Sequence, residues 1–264
     1  MDKKQICTSA CSIIREVSDY ILKEFSTFHS EAIETKARNH LVSYVDKQAE
    51  KMLVEQLQNL VPDSGFLVEE GTIEASSREL RWIIDPLDGT TNFMHHLPFY
   101  CISVALQLNE VTIIGIIHEV NRNETFYSFG DQKAYLNGRI IEVSSATKLE
   151  DTIIATGFPY YDYSILDAYL EVLKHLVLNT RGVRRFGSAA MDLAYVACGR
   201  FDAYFEHSLS AWDVAAGAFI VEQAGGVVSD FNGTDHFLFG RQIIAGNQFI
   251  HPVIKELIQE KINV

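Results

Sequence analysis

Apolar residues recur at helical spacing from the start of the chain. Ile6, Ala10, Ile13, Ile14, Val17, Ile21 and Phe25 share one face, which predicts an amphipathic opening helix. A second helix is predicted from Ser43 to Leu60, with Ala49, Met52, Leu53, Leu57 and Leu60 on its apolar face. Its Ser43-x-x-Asp46 start has the form of a capping box, and Pro62 ends it. Two short apolar runs follow, Phe66-Leu67-Val68 and Trp82-Ile83-Ile84, and each runs into carboxylates: Glu69-Glu70 and Asp85. Ile- and Val-rich segments at 100–108, 111–120, 124–129 and 134–136 then predict a β-meander. It turns at Asn109-Glu110, and Asn137-Gly138 marks a hairpin before Arg139-Ile140-Ile141.

From about residue 150 the pattern alternates. Strands are predicted at 152–156, 201–205 and around 243–245, and helices near 166–178, 189–197, 214–224 and 252–262. The first half therefore reads as α+β and the second as α/β. The expected division is a lobe of residues 1–145 and a lobe of residues 146–264. No Pro- or Ser-rich linker separates them, so they are expected to pack as one compact unit.

The chain has 264 residues, enough for a full core. Its 22 Lys plus Arg against 35 Asp plus Glu give a net charge of −13, which repels nucleic-acid backbones and anionic membranes. A phosphorylated substrate stays compatible with that charge where cations stand between it and the acids. No apolar run has membrane-spanning length, and residues 1–6 lack the apolar region of a secretion signal. Cys7, Cys11, Cys101 and Cys198 form no Cys-x-x-Cys or Cys/His cluster and read as thiols of a reducing compartment. A cytoplasmic protein is expected.

The candidate chemistry lies in Trp82-Ile83-Ile84-Asp85-Pro86-Leu87-Asp88-Gly89-Thr90-Thr91-Asn92-Phe93. Pro86 is expected to force a tight turn that aims Asp85 and Asp88 at one point. Their repulsion there calls for a cation, and hard oxygen donors suit Mg²⁺. Gly89-Thr90-Thr91 offers small residues whose N–H groups can receive a phosphate. An ordinary surface Asp/Gly turn would show the same residues. Glu69 reads equally as a loop acid, and Asp213, ahead of the apolar run 214–220, as a helix N-cap. Specificity comes from the combination.

These segments resemble the inositol monophosphatase family. The run 82–93 is similar to the family's first signature, and Trp212-Asp213-Val214-Ala215-Ala216-Gly217, continuing to Glu222-Gln223-Ala224-Gly225-Gly226, to its second. Gly187-Ser188-Ala189-Ala190 and Asp202-Ala203-Tyr204-Phe205-Glu206 also resemble family segments, so the likeness covers nearly the whole chain. The resemblance implies a layered α/β/α/β/α sandwich. It implies a Mg²⁺-dependent, lithium-sensitive phosphomonoesterase acting on inositol monophosphate or a similar polyol or sugar phosphate, commonly as a homodimer. By that likeness Glu69, Asp85 and the Leu87 carbonyl hold a first metal, and Asp85, Asp88 and Asp213 a second. Glu69 helps to hold a third. Thr90 with Glu69 activates water, the Gly89 and Thr90 N–H groups bind phosphate, and Glu206 and the Ala189 region meet substrate hydroxyls. Such metals supply hydroxide and stabilise the leaving alkoxide in an in-line displacement without a covalent phosphoenzyme.

Two departures stand out: a short 69–85 interval, and the segment His207-Ser208-Leu209-Ser210-Ala211, which matches no family pattern. His95-His96 lacks the i, i+4 spacing of helical ligands, and Arg184-Arg185 reads as a surface or subunit contact more readily than as a second anion site. The aromatic run 160–163 reads as a packing loop. Alternative activities are NADP 2′-phosphatase and fructose-1,6-bisphosphatase, and a further alternative is a non-catalytic partner in transcription. A haloacid-dehalogenase-type phosphatase is disfavoured, because its Asp-x-Asp spacing is replaced here by Asp85 and Asp88 around Pro86.

Overall fold

The computed structural model describes residues 1–27, 34–37, 40–42, 44–76, 78–159 and 162–262, those of 34–37 and 40–42 by backbone. Helix α1 (Lys3–Thr27) buries Ala10, Ile14, Val17 and Ile21 of the stripe read from the sequence, together with Cys7 and Cys11, while Ile6, Ile13 and Phe25 are half-buried. A two-stranded antiparallel hairpin, β1 (Glu34–Ala37) and β2 (His40–Val42), precedes helix α2 (Tyr44–Leu60). Ser43, and with it the expected capping box, lies outside the described residues.

The first large sheet has seven strands in chain order: β3 (Gly65–Val68), β4 (Leu80–Asp88), β5 (Cys101–Leu108), β6 (Val111–Glu119), β7 (Glu124–Ser128), β8 (Ala134–Leu136) and β9 (Arg139–Ile141). β3 and β4 are parallel, with helix α3 (Thr90–Met94) after β4, and the rest of the sheet is an antiparallel meander. Asn109 and Glu110 both have positive φ, as do Asn137 and Gly138, which gives the turns the twist a two-residue hairpin needs.

The second sheet contains β10 (Ile153–Thr156), β11 (Gly182–Arg184), β12 (Ala203–His207), β13 (Val227–Ser229) and β14 (Gln242–Gly246) in the order β11-β10-β12-β14-β13. β11, β10 and β12 run parallel, and β14 and β13 pair antiparallel beside them. Helices α4 (Leu166–Asn179) and α7 (Ile250–Lys261) cover one face of it.

Strand alternation sorts the side chains into layers. Trp82, Ile84, Ile102, Val104 and Leu106 pack under α1 and α2. Ile83, Cys101, Ala105 and Ile117 point the other way, toward α5 (Ala189–Ala197), α6 (Ala211–Gln223) and the inner face of the second sheet. Ile154, Ala203, Phe205 and Ile244 face α4 and α7. All nine residues of α5 are buried, as a helix sandwiched between two sheets requires. The result is the expected α/β/α/β/α sandwich.

Differences from the sequence reading fall at short elements and ends. β1, β2, β11 and β13 have three or four residues, too few for a period to register. α6 begins at Ala211 rather than Val214, so Asp213 lies inside its first turn, and β12 runs Ala203–His207 rather than 201–205. Tyr160 and Tyr161 lie outside the described residues. Among the described residues no helix is long and apolar enough to cross a membrane.

Candidate active site

The expected tight turn at Pro86 is instead a bulge within β4. Asp85 pairs with Ser103 and Asp88 with Cys101, so three steps on β4 match two on β5. Residues three apart on a regular strand face opposite sides of the sheet, and one extra residue puts them on the same side. Pro86, which has no N–H to offer the ladder, suits that irregularity. The Leu87 N–H donates to Asp85 Oδ1 at 2.9 Å. Gly89 then turns the chain into α3 with φ of 99°, and a Cβ there would lie 3.0 Å from the Phe99 carbonyl oxygen. The Thr90 hydroxyl lies 3.0 Å from both Asp46 Oδ1 on α2 and the Leu87 carbonyl oxygen. Glu69 follows β3, its N–H donating to the Ile84 carbonyl at 3.2 Å. Just beyond it, the Glu70 and Thr72 N–H groups each donate to one oxygen of the buried Glu50, both at 2.7 Å.

The facing wall comes from one edge of the second sheet. The C-terminal ends of the parallel strands β11, β10 and β12 and the start of antiparallel β14 lie together there, bringing Arg185, Gly157, Glu206 and Arg241 into line. Glu206 is buried and accepts a hydrogen bond from the Tyr204 hydroxyl at 2.7 Å. Its carboxylate fills the space a Cβ on Gly157 would need, so that position tolerates only glycine in this arrangement. Ser188 caps α5, and its hydroxyl and the Ala190 N–H both donate to Asp88 Oδ2 at 2.7 Å. Asp88 therefore ties the two walls together. Asp213 occupies the third position of α6 and accepts the Ser210 N–H at 2.6 Å, so Ser210 is the N-cap and the Asp213 carboxylate serves both helix start and cavity.

Between the walls is a cavity of about 380 Å³. Glu69, Asp85, Asp88 and Asp213 all line it, as do Leu87, Gly89, Thr90, Ala189 and Glu206. Burial, followed by the charges of Glu69, Asp88 and Asp213, pushes the Asp85 carboxyl well above its ordinary range. Burial, then Asp88 and Glu69, does the same to Asp213. Asp88 is raised by burial to about 6 although the Ser188 and Ala190 hydrogen bonds hold it down. Burial raises Glu206 to about 7 against the Tyr204 hydrogen bond and the Arg185 charge.

Four acids lining one cavity, with Asp85, Asp88 and Asp213 raised by burial and by neighbouring charge, fit a site for divalent cations. The donors are all oxygen and therefore suit Mg²⁺. Among the described residues, no group of three or more His, Cys, Asp and Glu side chains is gathered tightly enough to hold an ion by itself. All four carboxylates nevertheless line one cavity, and the charges of the other three act on Asp85. An open arrangement suits Mg²⁺, which keeps several waters and takes substrate oxygens rather than an all-protein cage.

Several residues in or just behind the cavity wall carry no site role in the sequence reading, where Asp46 enters only as a capping-box residue. Asp46 and Glu50 sit one turn apart on the buried face of α2, and acids on an otherwise apolar stripe were the available signal. Asp192 is buried in α5 with Oδ1 lacking a partner, and burial, then Glu206 and Asp88, raises it well above the usual carboxylate range. Arg185, expected as a surface contact, lines the cavity because β11 ends beside β10; Arg184 does not. Ser208, Leu209 and Ser210, from the segment that matched no family pattern, line the cavity beside Arg241. His95 and His96 lie outside the cavity lining, and His96 packs on Phe25 with ring centroids 5.2 Å apart.

The sequence profile of the inositol monophosphatase family matches residues 2–263. The chain belongs to that family. It is 38% identical to the Nus factor SuhB of Escherichia coli K12 over 234 residues, 88% of each chain. It is 36% identical to an inositol-1-monophosphatase of Mesorhizobium japonicum over 242 residues, 91% of each. Its fold superposes on an IMPase of Thermotoga maritima with a TM-score of 0.89 at 32% identity, covering 100% of this chain and 99% of that one. Inositol monophosphatase family members thus share its length, layer order and fold.

Proposed function

We propose that this inositol monophosphatase family member is a Mg²⁺-dependent phosphomonoesterase acting on a small polyol or sugar phosphate. The observation that carries the proposal is the meeting of Glu69, Asp85, Asp88 and Asp213, from two strand ends and a helix start, in one cavity. Glu69, Asp85 and the Leu87 carbonyl are assigned to one ion and Asp85, Asp88 and Asp213 to a second, with Glu69 also serving a third. Bound Mg²⁺ supplies hydroxide near neutral pH and neutralises charge on the phosphate and the leaving oxygen.

The protein's own groups orient the reaction. Asp46 draws the Thr90 hydroxyl proton toward itself, which leaves the Thr90 oxygen free to accept from an attacking water beside Glu69. The Gly89 and Thr90 N–H groups bind the phosphate. Glu206 meets substrate hydroxyls, and with its pKa near neutrality it both donates and accepts. Water attacks in line and no covalent intermediate forms. Inhibition by Li⁺ and excess Ca²⁺, a cytoplasmic location and a homodimer belong to the same proposal.

Phosphate release from inositol monophosphates, measured with Mg²⁺ and again in chelator, tests it. Turnover with Mg²⁺ and none in chelator is expected; full turnover in chelator overturns it. A second reading, a bisphosphate or NADP as substrate, is favoured by Arg185 and Arg241, which flank Glu206 along the sheet edge. Fructose 1,6-bisphosphate and NADP in the same assay separate the two.

A further inference from the structure

We propose, resting on the metal-dependent reading above, that Glu50 is a positioning residue: it holds the loop behind Glu69 in register with Thr90, and metal affinity depends on that hold. Glu50 is fully buried on α2, and each of its carboxylate oxygens takes one backbone N–H from the turn that follows Glu69. Charge-assisted bonds of 2.7 Å are the strong class of hydrogen bond. Gly71, at φ of 66°, lies between the two donors and lets the Glu70 and Thr72 N–H groups converge on one carboxylate. Glu69 is thus fixed on its N-terminal side by the sheet, through the Ile84 carbonyl, and on its C-terminal side by the helix.

The same helix holds Thr90. Asp46 lies one turn before Glu50 on the buried face of α2 and accepts the Thr90 hydroxyl. Residues four apart on a helix stand on one side at a fixed spacing. Two carboxylates on one rigid element therefore hold the two groups assigned to water activation, Thr90 directly and Glu69 through its backbone. Neither sheet does this alone, because the chain between β3 and β4 is a loop. Partners of this kind, which orient a metal ligand without touching the metal, change affinity by 10- to 100-fold when removed.

The test uses Mn²⁺ as an oxygen-seeking paramagnetic probe, with binding followed by loss of the free-ion EPR signal and compared with thermal unfolding in chelator. Glu50→Gln keeps the size but turns an N–H group toward one of the two backbone donors. Gly71→Ala strains the same turn from the other side; no atom lies within 4 Å of the added Cβ, so its effect comes from the backbone alone. Glu55→Gln, exposed on the same helix, is the control. The expected result is Mn²⁺ dissociation constants at least about tenfold higher in Glu50→Gln and Gly71→Ala, unchanged in Glu55→Gln. In activity assays the Mg²⁺ requirement should rise by a similar factor, while the substrate KM at saturating Mg²⁺ stays near wild type. Wild-type Mn²⁺ affinity in a folded Glu50→Gln protein overturns the inference, even if its melting temperature in chelator falls, since that pattern marks a purely structural role. Failure of the wild-type protein to bind Mn²⁺ overturns the metal reading itself and is thereby told apart.

Discussion

The wall from the seven-stranded sheet carries Glu69 at the end of β3 and Asp85, Asp88 and Thr90 at and just beyond the end of β4. The facing wall draws Gly157, Arg185, Glu206 and Arg241 from four different strands and Asp213 from a helix. On the first wall the side chains lie within short stretches of chain, and α2 holds Thr90 through Asp46 and the turn after Glu69 through Glu50. On the second, the four strand-end residues each arrive from their own strand with their order set by the sheet, and Asp213 comes from the start of α6. The first arrangement suits ligands whose spacing is fixed by an ion. The second suits contacts that change with the substrate, since one loop can be altered without moving its neighbours. Asp88 joins them, a β4 residue hydrogen-bonded by α5.

The largest effect is expected on the first wall. Asp85→Asn removes the buried charge shared by both assigned ions. Charge stabilisation worth several kcal/mol corresponds to a kcat loss of roughly three powers of ten. Steady-state kinetics at saturating substrate checks it, and a loss confined to KM would mean that Asp85 serves binding only. On the second wall, Glu206→Gln should act on stability in a pH-dependent way. The Glu206 pKa rises from 4.5 to about 7 on folding. Between those values the folded state holds the proton that the unfolded state has lost, so stability falls as pH rises through the window. The penalty is absent below 4.5 and complete above about 7, at roughly 3 kcal/mol as an upper figure. Gln does not titrate. In chelator the variant should melt higher than wild type at pH 8 and equally at pH 4.5. Melting curves that stay parallel across that range would show that Glu206 is not charged at the cost its burial implies.

Most of the layer order was readable because α1 and α2 bury residues at helical spacing, and the long strands β4, β5 and β6, buried on both faces, read as continuous apolar runs. The first wall was readable too, since Asp85, Pro86, Leu87, Asp88 and Gly89 are contiguous. What stayed hidden was contact between distant segments. Nothing in Glu50 alone says that its carboxylate meets the Glu70 and Thr72 backbone, and Arg185 reads as surface until β11 is seen beside β10. Pro86 suggested a turn where the structure has a bulge, because proline chemistry is the same in both and the partner strand decides.

The seam between the walls gives a smaller effect. Ser188→Ala removes one of two donors to Asp88 Oδ2 and leaves the Ala190 N–H in place. A hydrogen bond to a charged group is worth about 1.5 kcal/mol or more, so kcat should fall roughly tenfold. Loss of the cap should lower α5 stability by about 1 kcal/mol. Unchanged kcat with lowered stability would make Ser188 a cap alone and leave the walls independent.

The smallest expected effect lies at the rim. β14 neighbours β12, and Arg241 lies opposite Ser208, two residues beyond Glu206, while β11 brings Arg185 in from the far side of β10. Arg241 is exposed, with its guanidinium donating to the Ser208 carbonyl oxygen at 3.4 Å and its charge facing Asp162. An exposed ion pair with a substrate anion is worth up to about 1 kcal/mol, near fivefold in affinity. Arg241→Ala should therefore raise KM about fivefold for a bisphosphate and leave that of a polyol monophosphate unchanged, with kcat constant for both. The difference should shrink as salt is raised, because the contact is screened. Equal effects on both substrates would show that Arg241 supports the Ser208 loop rather than the ligand. The second wall would then select by shape and hydroxyl pattern alone.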